Sequence, residues 1–96
     1  MKRSRAIMLL RRSKDILATR FGVSRIALFG STARDTAREN SDVDILVAFD
    51  GPATSQRYFG VQFYLEDLFD GPVDLVTEKA LRPELRPFIE KEAIHV

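Results

Sequence analysis

The sequence lacks cysteine, long apolar runs and, apart from His95, histidine. Without cysteine the chain has neither a disulfide framework nor a thiolate metal site, and one histidine leaves zinc without its usual ligands. The apolar run at residues 6–10 is closed by Arg11 and Arg12, which makes it too short for a secretory signal or a membrane span. We therefore expect a cytoplasmic protein with no membrane contact, and we assign no function to His95.

The length and the charge distribution limit the kinds of partner. Ninety-six residues suffice for one domain with its own core, so we expect residues 1–96 to form a single domain. The net charge of +1 conceals basic residues concentrated in residues 1–25 and acidic residues concentrated in residues 39–78. The basic segment is either the solvated face of a helix or a surface for nucleic acid or an acidic partner. Because the middle of the chain is acidic, we expect no direct nucleic-acid binding.

The spacing of apolar residues predicts helices and strands in the order α β α β α β α, which places the chain in the α/β (α+β) class. The strand in "DVDILVAF" ends with little alternation, so we expect it to be central and covered on both faces. The predicted elements are a helix over residues 4–21 ended by Gly22, a strand over 25–29, a short helix and loop over 31–40, a strand over 43–49, a helix N-capped by Thr54 or Ser55 and broken at 70–72, a strand over 73–77, a helix from about Pro83 and an edge strand over 94–96. The start of the last helix is open to a slip, because Pro87 is tolerated only in a first turn.

Asp42 and Asp44 are a feature that folding alone does not explain. Strand side chains alternate between faces, so these two carboxylates point to the same side and repel each other. Asp74 lies in the next strand, and if the two strands pair, three carboxylates converge. Oxygen ligands are those that Mg²⁺ prefers, with water and substrate phosphates completing its coordination. The spacing therefore indicates Mg²⁺ bound to a nucleotide, and Ser41 lies either near that nucleotide or in a cap or turn.

The turn before these aspartates suits phosphate. Gly30 lets the backbone approach a ligand closely, and the N–H groups of a strand-to-helix turn can hold phosphate oxygens. The Ser31 hydroxyl is either a further donor or a helix N-cap. Arg34 either neutralises phosphate charge or forms a surface ion pair with Glu39 or Asp35.

Metal and phosphates together predict nucleotidyl transfer. One or two metal ions stabilise an attacking oxygen, the charge that develops on phosphorus and a pyrophosphate leaving group. Asp74 would bind only the ion beside the attacking hydroxyl, which it can help to deprotonate.

The stretch "GSTAR…SDVDILV", from Gly30 to Val47, resembles the signature of the minimal nucleotidyltransferase (MNT) domains of the DNA polymerase β-like superfamily. The resemblance covers residues 25–93, including "VDLVTEKALRPELR". It implies a small nucleotidyltransferase fold with a mixed central β-sheet flanked by helices, a nucleoside triphosphate donor and Mg²⁺, for which we expect two ions. It places Gly30 and Ser31 at the phosphates, and the metal ligands that it implies are Asp42, Asp44 and Asp74.

The resemblance also implies a function. MNT proteins are often antitoxins encoded beside a HEPN-domain ribonuclease toxin, and characterised members similar to this chain transfer AMP from ATP to a tyrosine of that toxin. We therefore expect a Mg²⁺-dependent protein adenylyltransferase that forms a hetero-oligomer with a HEPN toxin and neutralises it. Because 96 residues leave no room for a domain that holds the acceptor, a partner protein would present it.

Two alternatives stay open from the sequence. The chain neutralises its partner by binding alone, or it transfers a nucleotide to a small-molecule hydroxyl with the help of a separate subunit. Asp35 favours the binding alternative, because many members of the family have glycine there and a negative charge beside the phosphate turn either lowers nucleotide affinity or faces solvent. The basic N-terminal helix and the aromatic-rich helix after Ser55 are candidate partner surfaces.

Overall fold

The computed structural model describes residues 1–96 as four α-helices, four strands and a short 3₁₀ helix. The elements are α1 (Arg3–Phe21), β1 (Val23–Phe29), α2 (Gly30–Ala33), β2 (Val43–Phe49), α3 (Ser55–Phe69), β3 (Val73–Thr77), the 3₁₀ helix (Glu78–Ala80), α4 (Arg86–Glu92) and β4 (Ile94–His95). The predicted alternation of helices and strands is confirmed, including the edge strand at the C-terminus.

The four strands form one mixed sheet in the order β3-β2-β1-β4. β1 runs antiparallel to β2 and to β4, whereas β2 and β3 are parallel. A parallel pair needs a long crossover connection, and the 15-residue helix α3 provides it. The mixed sheet flanked by helices is the fold that the resemblance predicted, and β2 is central as expected.

The main core lies between the sheet and the two long helices. Its fully buried aliphatic side chains are Leu10, Leu17, Ile26, Leu28, Ile45, Val47, Val61 and Leu65. A smaller cluster on the other face of the sheet consists of Ala27, Phe29, Leu46 and Leu81. β2 therefore contributes buried side chains to both faces, which explains why its sequence shows little alternation. Burying each large aliphatic side chain contributes about 1.5–3 kcal/mol.

The ends of the two long helices follow their local sequence. Gly22 ends α1 in the left-handed conformation with φ 73°, and its N–H donates to the Ala18 carbonyl at 3.0 Å. Thr54, rather than Ser55, is the N-cap of α3, because its hydroxyl oxygen accepts the Arg57 N–H at 3.2 Å. Both ends thus satisfy backbone groups that the helices leave unpaired.

The predicted start of the first strand is wrong by two residues. β1 begins at Val23, and its pairing with β2 shifts register between Val23 and Arg25. The irregularity leaves Ser24 and Arg25 exposed in succession. It therefore breaks the period-two pattern on which the prediction depended.

The last helix starts later than Pro83, in the direction that the position of Pro87 allowed. Residues 82–85 form a turn in which the N–H groups of Leu85 and Arg86 both donate to the Arg82 carbonyl, at 3.0 and 3.1 Å. α4 begins only at Arg86, with Pro87 in its first turn. A proline is tolerated there because the first N–H groups of a helix have no partner within the helix.

The surfaces of α1 and α3 differ in character. The basic side chains of α1 are exposed, as expected for a solvated helix face. On α3, Phe69 is buried and Tyr58 is half-buried, whereas Phe59 and Phe63 are exposed and stack on each other with their ring centroids 6.3 Å apart. None of the helices has the length and apolar composition that crossing a membrane would require.

The N-cap of α3 gives a test of the fold. Thr54→Ala removes the acceptor of the Arg57 N–H and should lower the free energy of unfolding by about 1 kcal/mol. Ser55→Ala, one residue further on, is the matched control and should change that free energy by less than about half as much. Urea unfolding followed by circular dichroism measures both, and equal losses in the two variants would contradict the assignment of Thr54.

Candidate active site

The pairing of β2 with β3 brings Asp42, Asp44 and Asp74 to the end of the sheet at which these two strands begin. We call this end the acidic edge. Asp42 directly precedes β2, Asp44 is its second residue, and Asp74 is the second residue of β3. In the parallel register Asp44 lies opposite Asp74. Asp42 and Asp74 are exposed, whereas Asp44 is half-buried. The second and third strands therefore do pair, as the predicted convergence of the three carboxylates required.

Burial and neighbouring negative charges both disfavour the ionised form of Asp44. The pKa of Asp44 is raised from 3.8 to about 6, first by burial, then by the negative charge of Asp74 and a hydrogen bond shared with its carboxyl group, and then by Asp42. Arg34 acts in the opposite direction but does not compensate. A cation placed among the three carboxylates would relieve this repulsion.

The donor set suits a hard divalent cation. All three side chains offer oxygen only, and the exposed positions of Asp42 and Asp74 leave room for water and phosphate. No three acidic or histidine side chains lie close enough together to form a ready-made metal cluster. The fit to Mg²⁺ thus rests on the oxygen donors alone, and the role of the three aspartates as ligands stays a prediction.

Gly30 lies directly against Asp44 because β1 and β2 are antiparallel neighbours and Phe29 is opposite Asp44. Its φ of +72° favours glycine, and a methyl group on its Cα would overlap the Asp44 carboxylate. Only glycine can thus occupy this position while Asp44 keeps its place. Its backbone N–H donates to Glu92 Oε1 at 3.1 Å.

Arg34 ends α2 and forms an ion pair, but neither of the two predicted partners is involved. Its Nη1 lies 2.8 Å from Glu92 Oε2, not beside Glu39 or Asp35. Glu92, which contacts both Gly30 and Arg34, is the residue of the candidate site that the sequence reasoning missed. No local pattern could have revealed it, because Arg34 and Glu92 are 58 residues apart in the chain.

The two serines differ in their surroundings. Ser31 is the second residue of α2, whose N-cap is Phe29, so the alternative role of Ser31 as an N-cap is wrong. The Ser41 hydroxyl oxygen accepts the Arg38 N–H at 3.0 Å, which makes it a turn residue just before β2. The phosphate role of Ser31 and the nucleotide role of Ser41 stay predictions.

Asp35 has a structural role. Its φ of +62° explains why glycine suits this position, and aspartate is among the residues that tolerate it. Its carboxylate accepts the N–H of Arg3, the first residue of α1, at 3.0 Å. A negative charge at the start of a helix is favourable. The carboxylate of Asp35 therefore caps α1, and it is not among the groups that shift the pKa of Asp44.

The acidic edge is an open surface. A cavity of about 320 Å³ lies at the opposite end of the sheet, where β2 and β3 end. Arg25, Thr77 and Arg86 contribute to its lining, and none of the three aspartates does. Asp42 and Asp74 are instead exposed at the surface.

Comparisons with known proteins agree with this geometry. Residues 10–96 match the nucleotidyltransferase domain family. A candidate protein adenylyltransferase of Methanocaldococcus jannaschii, MJ0128, is 40% identical over 89 residues, which cover 92% of this chain and 91% of the relative. Protein adenylyltransferase MntA of Thermococcus cleftensis is 39% identical over 83 residues, which cover 86% of this chain and 84% of the relative.

Solved structures show the same fold. A candidate minimal nucleotidyltransferase superposes with a TM-score of 0.82 at 38% identity, over 98% of this chain and 95% of the other. A complex of a tri-AMPylated HEPN toxin with an MNT antitoxin, from Shewanella oneidensis, gives a TM-score of 0.60 at 22% identity, over 97% of this chain and 66% of the matched chain. At that identity the likeness shows the fold alone.

The fold and the match over residues 10–96 define the class of protein. The chain belongs to the nucleotidyltransferase domain family, and its resemblance to the minimal nucleotidyltransferases is confirmed. It is an enzyme of the nucleotidyl-transfer class.

The raised pKa of Asp44 predicts a pH-dependent gain in stability for Asp44→Asn. Because the folded-state pKa exceeds the unfolded value, folding favours the protonated carboxyl, and stability falls as the pH rises from about 4 through about 6. Above pH 7, without divalent cations, Asp44→Asn should be more stable by about 1 kcal/mol, a figure reduced for solvent screening. The difference should vanish near pH 4. If Asp44→Asn and the starting protein have equal free energies of unfolding in urea at both pH values, the raised pKa of Asp44 is contradicted.

The cap formed by Asp35 gives a second test. Asp35→Ala removes the acceptor of the Arg3 N–H and leaves alanine at a positive φ, so the free energy of unfolding should fall by about 1–2 kcal/mol. Asp35→Asn keeps an oxygen acceptor and tolerates that φ, and it should lose less than about 0.5 kcal/mol. If the two variants unfold at the same urea concentration, the contact with α1 does not stabilise the fold.

Proposed function

We propose that this chain, acting as one domain over residues 1–96, is a Mg²⁺-dependent antitoxin that transfers AMP from ATP to a tyrosine hydroxyl of a HEPN ribonuclease toxin. The observation that carries the proposal is the sheet edge at which Asp44 lies opposite Asp74, beside Asp42 and against Gly30. The names of the adenylyltransferase relatives and of the complex with an AMPylated HEPN toxin support the donor, the reaction and the partner.

Different residues of the site would bind the cation and the phosphate groups. Asp42, Asp44 and Asp74 would hold Mg²⁺, which would supply positive charge to the attacking oxygen, the phosphorus centre and the leaving group. The Gly30 N–H and the Arg34 guanidinium are donors for phosphate oxygens. Ser31, exposed in part at the start of α2, adds a hydroxyl donor.

The transfer step requires a proton acceptor. The tyrosine oxygen attacks the α-phosphorus of ATP, the bond from that phosphorus to the bridging oxygen breaks, and pyrophosphate leaves. The phenolic proton passes to the carboxylate of Asp74, which is exposed and so accessible to an acceptor from outside the chain. Asp44, half-buried against Gly30, is better placed to hold the cation than to meet the acceptor.

The acceptor comes from a partner protein that forms a hetero-oligomer with this chain. The open acidic edge has room for a tyrosine presented on another surface. Phe59 and Phe63 form an exposed apolar pair on α3 of the kind that protein interfaces bury.

Intact-mass spectrometry of the HEPN protein encoded beside this chain tests the proposal. The partner is incubated with this chain, Mg²⁺ and each of the four nucleoside triphosphates in turn, and ATP should add one or more AMP units. Asp42→Asn should slow the transfer about a hundredfold or more, since metal-held charge stabilisation contributes several kcal/mol. Glu84→Gln, at an exposed acidic residue in the turn before α4, is the control and should keep full activity.

The other outcomes separate the two alternatives. A stable complex without a mass gain, together with toxin neutralisation by the Asp42→Asn variant, would replace catalysis by binding alone. An unmodified partner with transfer to a small hydroxyl compound would identify a small-molecule nucleotidyltransferase that works with a separate subunit.

A further inference from the structure

The carboxylate of Glu92 contacts the Gly30 N–H and the Arg34 guanidinium, the two donors that the proposed function assigns to phosphate. Glu92 is the last residue of α4, and each of its two carboxylate oxygens accepts a hydrogen bond from a different donor. Oε1 accepts the Gly30 N–H at 3.1 Å, and Oε2 accepts from Arg34 Nη1 at 2.8 Å. One carboxylate thus bridges a backbone donor on α2 and a guanidinium at the end of α2.

The donors do not discriminate strongly between a carboxylate and a phosphate. A backbone N–H and an arginine fork bind both anions through the same charge-assisted hydrogen bonds. While Glu92 accepts both bonds, phosphate oxygens cannot form them in the same geometry. Glu92 also adds negative charge next to Gly30, beside which Asp44 already lies.

The contact is positioned so that it can open. The side chains of Arg34 and Glu92 are 54% and 28% exposed, and ion pairs in such surroundings are individually weak. α4 has no fully buried residue and is attached to the smaller cluster mainly through the half-buried Ile89. Neither the main core nor the sheet needs to change when the Glu92 side chain turns away.

We propose that Glu92 is an internal competitor of the nucleotide: its carboxylate occupies the Gly30 N–H and Arg34 in the free enzyme and is displaced when the triphosphate binds. The proposal rests on the proposed function, because it assumes that these two donors receive phosphate. The apparent affinity for the nucleotide is then the intrinsic affinity multiplied by the fraction of molecules in which both donors are free. It also keeps Arg34 and the Gly30 N–H paired when no nucleotide is present.

A positioning role for Glu92 predicts the opposite result. If Glu92 serves to orient Arg34 towards phosphate, its removal should weaken nucleotide binding. If Glu92 competes, its removal should strengthen it. The sign of the change therefore distinguishes the two roles.

The experiment is a calorimetric titration of AMP-PNP with Mg²⁺ into the full chain and its variants. Glu92→Gln keeps the shape of the side chain but removes its charge, and it should tighten binding by about three- to tenfold. Glu90→Gln is the matched control on the same helix, since Glu90 pairs only with Arg86 at 3.3 Å, and its affinity should stay within about twofold of the starting protein. Glu92→Asp, too short to bridge both donors, should also tighten binding and replaces Glu92→Gln if that variant does not fold.

The Gly30 amide resonance gives an independent reading of the same contact. It should shift in Glu92→Gln without ligand, and AMP-PNP should shift it in the starting protein as well. Unchanged or weaker binding by a folded Glu92→Gln variant would overturn the competitor role while leaving the nucleotide site intact. If no form of the chain binds AMP-PNP, the proposed function fails first, and the competitor role fails with it.

Discussion

The parallel register between β2 and β3 is the constraint on which the site depends. Val43 and Ile45 on β2, and Val73 and Leu75 on β3, are buried in the main core, so the alternate residues Asp44 and Asp74 must emerge on the other side of the sheet. A slip of one residue would turn an aspartate into the core and a valine out of it. Two side chains of α3 also hold β3 in position. The Tyr58 hydroxyl donates to the Leu75 carbonyl at 2.7 Å, and the Gln62 amide donates to the Val73 carbonyl at 2.6 Å. The packing of the apolar face therefore determines the geometry of the acidic face.

The arrangement of Asp44 and Gly30 lowers the stability of the fold. Asp44 is half-buried among like charges, and the neighbouring position must be glycine with a positive φ. Each of these features works against the stability of the metal-free chain, since a buried carboxylate prefers to be neutral and glycine loses more conformational freedom on folding than any other residue. The core offsets the loss through its fully buried aliphatic side chains. Functional sites commonly carry such local instability, and here it is confined to one edge of the sheet.

The sequence allowed prediction of those parts of the molecule that depend on local periodicity. The limits of β2 and β3 follow from short apolar runs bounded by turn residues. Thr54 was one of two predicted caps, and the Gly-Ser turn with its following aspartates was sufficient to identify the family. Contacts between residues far apart in the chain could not be predicted from local sequence patterns. Asp35 bonds to Arg3 across 32 residues, and Glu92 reaches Gly30 across 62. The start of β1 was missed for a third reason, because the register shift between Val23 and Arg25 removes the alternation that marks a strand.

The position of Asp35 bears on the choice between catalysis and simple binding. From the sequence, this aspartate was the one local reason to favour a chain that neutralises its partner without chemistry, because it put a negative charge where many relatives have glycine. In the folded chain its carboxylate is committed to the N–H of Arg3, where the start of α1 favours an anion. The charge that does oppose phosphate comes from Glu92, and that side chain is partly exposed on a helix with no fully buried residue. A reversible obstacle of this kind is compatible with catalysis, whereas a decayed site would be expected to have lost an aspartate or Gly30. All four residues are present and adjacent, which supports an active enzyme.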